Sequence, residues 1–361
     1  MIICNYIIDK GGDKVMKLTK TLLKNIDNKD IIAYNVKFNN GFEVEILNLG
    51  GIITKIITPD KNGILENIIV GYKDIESYIQ NPSYFGAIIG RTSGRICEGQ
   101  ISIDGVNYDL AKNYNPHQGH GGNKGFNSKI WDVKIREEED NITLKLYTKS
   151  LDMEENYPGN LDLCVSFKIY EDYKIEQTYE AISDKKTLVN MTNHSYFNLS
   201  GDIKRPITDE YLKIDCDYIL ELDQTFIPTG KKINVENTPF DFKKKMMIGN
   251  RIDDDHKQIK IGHGYDHVFI LNNSQNQIKL NDIISGRNMT IDTNQDCVVI
   301  YSMNFPDDIE LYNGKKTQRR YGICFETQAP PIGKDMCFIE DSILNKGEKY
   351  IQKTTYRFYL D

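Results

Sequence analysis

The chain has 361 residues, of which 39% are hydrophobic and 27% are charged, a balance typical of a folded globular protein and unlike that of a disordered one. Acidic residues outnumber basic ones by 52 to 45, and the two signs are interleaved along the chain. The net charge of -7 therefore argues against the basic surface that nucleic acid binding requires. We expect neither nucleic acid nor a membrane as a partner.

The N-terminal residues carry no recognisable export signal. The apolar run from Met1 to Ile8 is too short to span a membrane, and no signal-peptide cleavage pattern follows it. The seven cysteines have no metal-ligand or thioredoxin spacing, which favours reduced thiols and a cytoplasmic location. Residues 11–16 are compatible with a purine-rich coding stretch like a bacterial ribosome-binding site, so we hypothesise a start at Met16. Residues 1–16 would then be an N-terminal extension and 17–361 a single domain.

Apolar residues recur mostly with a period of two, which is typical of half-buried β-strands. Three segment pairs resemble hairpins, with Asn39-Asn40-Gly41, Asp104-Gly105 and Glu171-Asp172 as their turns: 34–38 with 42–47, 101–103 with 106–110, and 161–169 with 175–181. A short helix is predicted near 74–80. No linker or repeat divides the chain, so we predict an all-β fold, one large antiparallel β-sandwich with few short helices.

Five segments concentrate polar, glycine and aromatic residues that a plain sandwich core does not need. They read GRTSGRICEGQ (90–100), NPHQGHGGNKGF (115–126), LVNMTNHSYFNLSG (188–201), GYDHVFIL (264–271) and YGICFETQ (321–328). Together they resemble, in order, the motifs of the aldose 1-epimerase family, also called mutarotases. The resemblance runs from about residue 41 to near the C-terminus and implies the galactose mutarotase type of sandwich. It also implies an isomerase that interconverts the α and β anomers of free glucose- or galactose-type hexoses.

Glu326 is predicted to point into a sugar cleft. Strand alternation places it on one face with Gly322 and Cys324, whose small side chains leave room for a ligand, and Ile323 and Phe325 on the other face. The alternative from the strand alone is a surface glutamate on an exposed sheet. By resemblance to the family, Glu326 is the catalytic base.

His194 is the matching acid by the same resemblance. Alternation groups it with Asn190, Thr192 and Tyr196 in a polar stripe on one face of a strand-like segment. Ring opening needs a base for the anomeric hydroxyl and an acid for the ring oxygen. An ordinary histidine pKa of about 6.5 suits the acid, and the alternative is a structural histidine. We expect the acid and base to face each other across a gap about as wide as a pyranose ring.

The resemblance implies three further residues that position the sugar: Arg95, His120 and Asp266. Arg95 and His120 would hydrogen-bond ring substituents or the ring oxygen, and Asp266 would hold hydroxyl groups. Their alternatives are a structural ion pair, a loop residue and a turn residue. His117 is a weaker candidate from the same loop as His120. The expected partner is a monosaccharide, and the chain is expected to be a monomer or homodimer.

No metal and no organic cofactor are expected, because the histidines lack the spacing of a helix-borne metal motif. Cys324 is assigned to packing. The chain departs from the family pattern at four places, which concern substrate preference more than the acid and base: Gly94, Gly119, Val299 and Ile332-Gly333. Two other functions stay open: a mutarotase for sugar phosphates, with Arg91 and Arg95 holding the phosphate, and a non-catalytic carbohydrate-binding or regulatory protein.

Overall fold

A computed structural model describes the backbone of residues 2–10, 13–272 and 275–360, and side chains from Met16 onward. Most of the predicted extension, residues 1–16, lies outside the residues whose side chains are described, so its boundary stays a prediction. Met16 itself is buried in the core. Within the described residues, neither α-helix has the length and apolar character that crossing a membrane requires.

Strands make up most of the regular structure. In chain order, the first third contains β1 (Ile2–Lys10), β2 (Asp13–Ile26), β3 (Lys29–Phe38), β4 (Glu43–Leu47), β5 (Ile53–Pro59), β6 (Leu65–Asn67), α1 (Ile75–Gln80), β7 (Ile88–Ile89), β8 (Arg95–Ile96), β9 (Gln100–Ile103), β10 (Val106–Asp109) and β11 (Gln118–Gly119). The middle contains β12 (Asp132–Glu137), β13 (Asn141–Ser150), β14 (Leu161–Tyr170), β15 (Lys174–Ser183), β16 (Thr187–Leu188), β17 (Thr192–Asn193) and β18 (Tyr196–Phe197).

The last part of the chain completes the sheets. It contains β19 (Tyr211–Ile214), β20 (Cys216–Leu222), β21 (Pro228–Asn234), β22 (Met246–Met247), α2 (Lys257–Gly262), β23 (Asp266–Leu271), β24 (Ile278–Asn281), β25 (Arg287–Thr293), β26 (Cys297–Tyr301), β27 (Ile323–Gln328), β28 (Ile343–Leu344) and β29 (Lys349–Leu360). Short 3₁₀ helices connect some of them, at Cys97–Gly99, Phe126–Ser128, Glu154–Asn156, Ile207–Asp209, Ile248–Asn250, Lys334–Met336 and Ile339–Ser342.

Three large antiparallel sheets form the body of the molecule. Their strand orders are β1-β2-β3-β4-β5-β6, β12-β13-β14-β15-β29-β25-β24-β19-β22 and β18-β27-β26-β23-β20-β21. Phe358 of β29 packs against Phe42 beside the first sheet, with ring centroids 6.2 Å apart, and Tyr356 packs against Phe197 of the third sheet at 5.8 Å. The nine-stranded sheet thus shares its core with both smaller sheets. The predicted all-β sandwich with few short helices is confirmed.

The predicted hairpins are present with their turns where the sequence placed them. Buried and less buried residues alternate along β14 and β15, and the chain reverses between Tyr170 and Lys174. Asp104 and Gly105 both adopt positive φ, 50° and 79°, between β9 and β10, as a two-residue hairpin turn requires. The predicted helix is α1, whose first turn is capped by the side chain of Asp74.

Candidate active site

Glu326 lies on the cleft-facing side of β27, as alternation predicted. Ile323 and Phe325 are buried in the main core on the other side of the strand. Glu326 stands opposite Val299 of β26, and Val299 stands opposite Val268 of β23. These three side chains line one cleft, and Glu326 is only 3% exposed. The carboxyl group is therefore fixed on a paired strand at the bottom of a largely desolvated site.

His194 lies between β17 and β18, where the backbone is irregular. Its N–H donates to the carbonyl of Ala87 at 2.9 Å, and its carbonyl accepts from the N–H of Gly86 at 3.0 Å. These bonds to a neighbouring loop interrupt the strand that we predicted across residues 190–196. His194 and Tyr196 line the cleft, whereas the amide of Asn190 bonds the backbone of Ala329 instead. The predicted four-residue polar stripe is therefore wrong.

The imidazole and the carboxyl group are in direct contact. His194 Nε2 lies 3.4 Å from Glu326 Oε1, and both side chains are almost completely buried. The expected gap as wide as a pyranose is wrong. The two oxygens that exchange protons in ring opening, O1 and O5, are bonded to the same carbon, so an acid and a base that serve them must be neighbours.

The three predicted sugar-positioning residues lie in the same cleft. Pairing of β8 with β11 sets Arg95 opposite Gly119, and His120 follows directly, its N–H bonded to the carbonyl of Gly94 at 3.0 Å. Asp266 begins β23, and its Oδ2 is 4.0 Å from Arg95 Nη1. The rings of His120 and His194 are 5.4 Å apart. Residues from five segments far apart in the chain thus meet around one hollow.

Aromatic residues that the sequence reasoning missed complete the walls. Tyr114 directly precedes the segment 115–126, and Phe226 directly precedes Ile227-Pro228-Thr229-Gly230, whose sequence also resembles the family, so both were within reach of the motif reading. Tyr84 and Phe305 have no comparable sequence signal. All four line the cleft together with Tyr301. The Arg95 guanidinium lies over the rings of Tyr114 and Phe226, 5.3 and 4.7 Å from their centroids.

Comparisons with known proteins agree with this geometry. The family model described as aldose 1-epimerase matches residues 33–357. The galactose mutarotase of Homo sapiens is 33% identical over 319 residues, which cover 87% of this chain and 90% of the human protein. The crystal structure of galactose 1-epimerase from Lactobacillus acidophilus superposes with a TM-score of 0.86 at 29% identity, covering 96% of this chain and 99% of that one. A maltose epimerase from Levilactobacillus brevis is 28% identical over 81% of this chain and 86% of its own length.

The chain belongs to the aldose 1-epimerase family. Family members are isomerases, so this chain is an isomerase that interconverts the anomers of free hexoses. The identification from the five motifs is confirmed.

Burial alters the proton affinities of the central pair in this aldose 1-epimerase. Desolvation lowers the pKa of His194 to about 4, and its own backbone carbonyl opposes the shift. Burial, together with the nearby charge of Asp266, holds the pKa of Glu326 well above its ordinary range, and Arg95 opposes that shift. The argument that an ordinary histidine pKa suits the acid is therefore wrong. Both pKa shifts favour the neutral form of the group concerned.

Two of the predicted positioning residues, Asp266 and His120, are also desolvated. Burial raises the pKa of Asp266, and Arg95 lowers it in part. Burial, followed by the charges of His194 and Arg95, holds the pKa of His120 well below its usual range, so its imidazole is neutral. Nδ1 of His120 is buried without a hydrogen-bond partner among the described residues. A neutral imidazole with an unused nitrogen is suited to a sugar hydroxyl.

Cys324 contacts His194 in addition to packing. Its Sγ lies 3.5 Å from His194 Nδ1, on the opposite side of the ring from Glu326. Burial keeps the pKa of this thiol well above its usual value, so it is a neutral neighbour and no nucleophile at ordinary pH. The thiol sulfur can accept a hydrogen bond from Nδ1–H of His194, and the other ring nitrogen, Nε2, faces Glu326.

Three ligand atoms at the centre have the spacing of a metal site. One atom each from His120, His194 and Glu326 lie within 4.8 Å of one another. The Arg95 cation beside them and the raised pKa of Glu326 both oppose cation binding. That no metal takes part stays a prediction.

The departures from the family pattern are accommodated by neighbouring side chains. Gly94 has φ +70°, and a Cβ there would lie 2.8 Å from Pro331. A Cβ on Gly119 would lie 2.4 Å from the ring of Tyr114. Pro331 and Tyr114 both line the cleft and occupy the space that larger residues at these positions would need. Val299 presents an apolar side chain to the cleft beside Glu326.

Histidines outside the cleft have separate roles. His117 Nδ1 accepts the N–H of Glu98 at 3.0 Å, so it supports the loop and does not line the cleft. His263 is exposed, and His256 is partly buried and accepts the N–H of Gln258 at the start of α2.

Proposed function

We propose that Glu326 is the general base and His194 the general acid for the ring opening of a free hexose of the galactose or glucose type. Glu326 accepts the proton of the anomeric O1 hydroxyl while His194 Nε2 donates a proton to O5. The C1–O5 bond breaks and the C1–O1 bond becomes a carbonyl. The observation that supports this assignment is the 3.4 Å contact between the two groups inside a cleft that can hold a sugar.

Ring closure runs the same transfers in reverse. After rotation about the C1–C2 bond, the other face of the carbonyl meets the O5 hydroxyl, His194 accepts its proton and Glu326 returns a proton to O1. The pair therefore alternates between an ionised form and a neutral form that differ only in the position of one proton. Burial favours the neutral form, and Arg95 opposes part of that preference at Glu326.

The sugar is held by groups of opposite hydrogen-bonding character in this proposal. Arg95 offers only donors, Asp266 offers acceptors when ionised, and His120 has a buried Nδ1 without a partner among the described residues. A pyranose presents hydroxyls that both donate and accept around its whole edge. Partly paired polar groups in a buried cleft gain most from such a ligand, because their desolvation is already complete.

The direct test is anomer exchange measured by NMR on freshly dissolved α-galactose, α-glucose and a panel of pentoses and hexose 6-phosphates. We expect the protein to accelerate exchange of at least one free hexose. Exchange at the buffer rate for every free hexose would contradict the roles of Glu326 and His194 and would favour a carbohydrate-binding protein. Preference for phosphorylated sugars would favour the phosphate alternative, which is weakened because Arg91 is buried and donates six hydrogen bonds within the fold.

We also propose that the protein acts in the cytoplasm as a monomer or homodimer. The six cysteines that the structure describes as free thiols support a reducing compartment. Light scattering on the purified chain tests the oligomeric state, and cell fractionation tests the location.

The names of the relatives point to one-ring and two-ring substrates, galactose and maltose, and the proton transfers need only the ring with the free anomeric carbon.

A further inference from the structure

A second hollow lies away from the cleft that contains Glu326 and His194. Among the described residues, none lines both. The hollow is bordered by the end of β5, by the turn between β14 and β15, and by the paired strands β25 and β29. Its cavity volume of about 420 Å³ is within the range of roughly 300 to 1,000 Å³ that is typical of sites for small ligands. The volume permits a small ligand, and the lining residues indicate its chemistry.

Most of the wall of this hollow is apolar. Ile68, Leu199 and Phe358 line it from the main core, and Tyr359 and Leu360 line it where β29 reaches solvent. Contact with these side chains removes the apolar part of a ligand from water, which favours binding. The hollow therefore suits a ligand that is largely apolar.

Exposed apolar side chains lie on the two turns that flank Arg287, which also lines the hollow. The carbonyl of Ile64, on the turn between β5 and β6, accepts from Arg287 Nη2 at 3.0 Å. Ile283 and Ile284 belong to the turn that directly precedes Arg287. All three isoleucines are more than half exposed, at 52%, 56% and 58%. Exposed apolar side chains concentrated beside a hollow are typical of a binding surface.

Two buried polar atoms of the lining residues have no partner. Arg287 Nε and Thr58 Oγ1 make no hydrogen bond among the described residues. The two residues are neighbours, because Arg287 Nη2 donates to the carbonyl of Thr58 at 3.3 Å. The other guanidinium nitrogens are occupied: Nη1 donates to the carbonyl of Leu199, and Nη2 also donates to the carboxylate of Glu66 at 3.0 Å. The fold therefore holds the Arg287 side chain in place and leaves one of its donors unused.

An oxygen atom is the partner that these two groups have in common. The Nε–H of arginine can only donate, and a threonine hydroxyl can donate or accept. An oxygen that accepts from both recovers the free energy that two unpaired buried polar groups cost the empty protein. An ammonium group offers no acceptor and is repelled by the guanidinium of Arg287.

We propose that this hollow binds an acyl compound, a ligand whose apolar chain ends in a carbonyl oxygen. The oxygen accepts from Arg287 Nε and from the hydroxyl of Thr58, and the chain packs against the apolar wall. A free carboxylate and an uncharged amide or ester share this chemistry. Because the Glu66 carboxylate pairs with both Arg287 and Lys204, the charge of the guanidinium is partly balanced and either kind of carbonyl oxygen fits. The site is independent of the roles proposed for Glu326 and His194.

The first test is calorimetric titration of the native chain with three probes that share one alkyl chain: octanoate, octanamide and octylamine. We expect octanoate or octanamide to bind with a Kd below about 1 mM, and octylamine to bind at least about 10-fold more weakly. Tighter binding of octanoate would identify a free acid as the ligand class, and tighter binding of octanamide would identify an amide or ester. Octylamine binding as tight as that of octanoate and octanamide, or no binding of these two, would overturn the proposal.

A matched pair of substitutions on β5 tests the hydrogen bonds. Thr58→Val removes the unpaired hydroxyl, so we expect octanoate and octanamide to bind about 5-fold more weakly while the melting temperature stays the same or rises. Thr54→Val is the control, because the hydroxyl of Thr54 donates to Glu45 at 2.8 Å and Thr54 does not line this hollow. Equal weakening of binding in both variants would overturn the proposal.

Two further measurements locate the bound probe. We expect saturating galactose to leave octanoate binding unchanged, because the hollow and the cleft share no described residue. Crystals grown with octanoate should place a carboxylate oxygen within hydrogen-bond distance of Arg287 Nε. Displacement of octanoate by galactose would place the probe in the cleft and overturn the proposal, and so would binding at crystal concentration only.

Discussion

Arg91 and Arg95 are four residues apart in one glycine-rich segment, yet their surroundings differ completely. The guanidinium of Arg91 is 2% exposed and donates six hydrogen bonds, to the hydroxyls of Ser150 and Thr187 and to four backbone carbonyls. Each of its nitrogens has a partner. Arg95 faces the cleft, with Asp266 at 4.0 Å and two aromatic rings as its neighbours.

This contrast in hydrogen-bond partners distinguishes polar groups that stabilise the fold from polar groups that are positioned to bind a ligand. Arg287 resembles Arg91 in being buried, bonding the carboxylate of Glu66 at 3.0 Å and donating to backbone carbonyls, although its Nε has no partner among the described residues. His120 and Glu326 resemble Arg95, because both line the cleft: Nδ1 of His120 has no hydrogen-bond partner among the described residues, and the carboxyl group of Glu326 has His194 as its neighbour at 3.4 Å. A buried polar group without a full set of partners destabilises the empty protein, and a ligand that completes the set recovers that free energy.

Glu326→Gln is the largest expected effect and tests the incompletely paired group directly. The amide cannot accept the anomeric proton, so we expect kcat for α-galactose or α-glucose to fall by about 100-fold or more. The amide also removes a carboxyl group that is costly to ionise where it is buried, so the melting temperature should stay the same or rise. Polarimetry and thermal unfolding on the same preparation measure both. A lower melting temperature would mean that Glu326 stabilises the fold.

The pH dependence of kcat/KM sharpens the assignment of the shared proton. Since burial lowers the pKa of His194 to about 4, acid adds a second proton to the pair only near that pH, and the base is then lost. The pKa of Glu326 is raised, so alkali removes the shared proton only above its ordinary range, and the acid is then lost. We expect a bell-shaped profile that is flat from about pH 5 to neutrality, with both limbs belonging to the pair. An acidic limb near pH 6.5 would indicate a solvated histidine.

A matched pair of lysine substitutions tests the comparison of the two arginines. Arg91→Lys supplies three donors for six acceptors, so we expect the free energy of unfolding to fall by about 3 kcal/mol with kcat/KM nearly unchanged. Arg95→Lys should lower kcat/KM by roughly 10-fold and leave the free energy of unfolding within about 0.5 kcal/mol. Denaturant titration and NMR exchange give the two readouts. A loss of kcat/KM in Arg91→Lys together with a loss of stability in Arg95→Lys would mean that exposure and hydrogen bonding do not identify the ligand-binding arginine.

The sequence predicted most of the strands, and its resemblance to the family predicted the residues at the floor of the cleft. Alternation along β14, β15 and β27 is a local property, and the Asp104-Gly105 turn depends only on its own two residues. The motif order identified the members of the cleft because each motif contributes one or two polar residues to it.

Other features depend on contacts that no local pattern contains. The interruption at His194 arises because the loop at residues 86–87 takes its backbone hydrogen bonds. Phe226 and Phe305 are 79 positions apart in the sequence and yet meet in the folded chain, and no motif marks Phe305. The pKa of His194 is set by burial, which only the folded chain defines. The sequence likewise does not distinguish Arg91 from Arg95, because only the folded chain defines the burial and the partners of each guanidinium.

Cys324→Ala tests whether the thiol orients the imidazole of His194. Its expected effect on kcat is smaller than the effects predicted above. Loss of the Sγ contact at 3.5 Å frees the His194 ring to adopt the other tautomer, so we expect kcat to fall about 3-fold and the acidic limb of the pH profile to shift. Cys216→Ala is the control, because Cys216 is equally buried in the main core. Equal losses in both variants, without a shift of the pH profile, would assign Cys324 to packing alone.

Chelation is expected to have no effect and tests the one arrangement that resembles a metal centre. His120, His194 and Glu326 offer three ligand atoms within 4.8 Å, but Arg95 adds a positive charge beside them and burial favours the protonated form of Glu326. A cation would have to displace that proton and overcome the repulsion of the guanidinium. Dialysis against EDTA should therefore leave kcat within experimental error. Loss of activity that zinc restores would show that the buried carboxyl group serves as a ligand and not as the base.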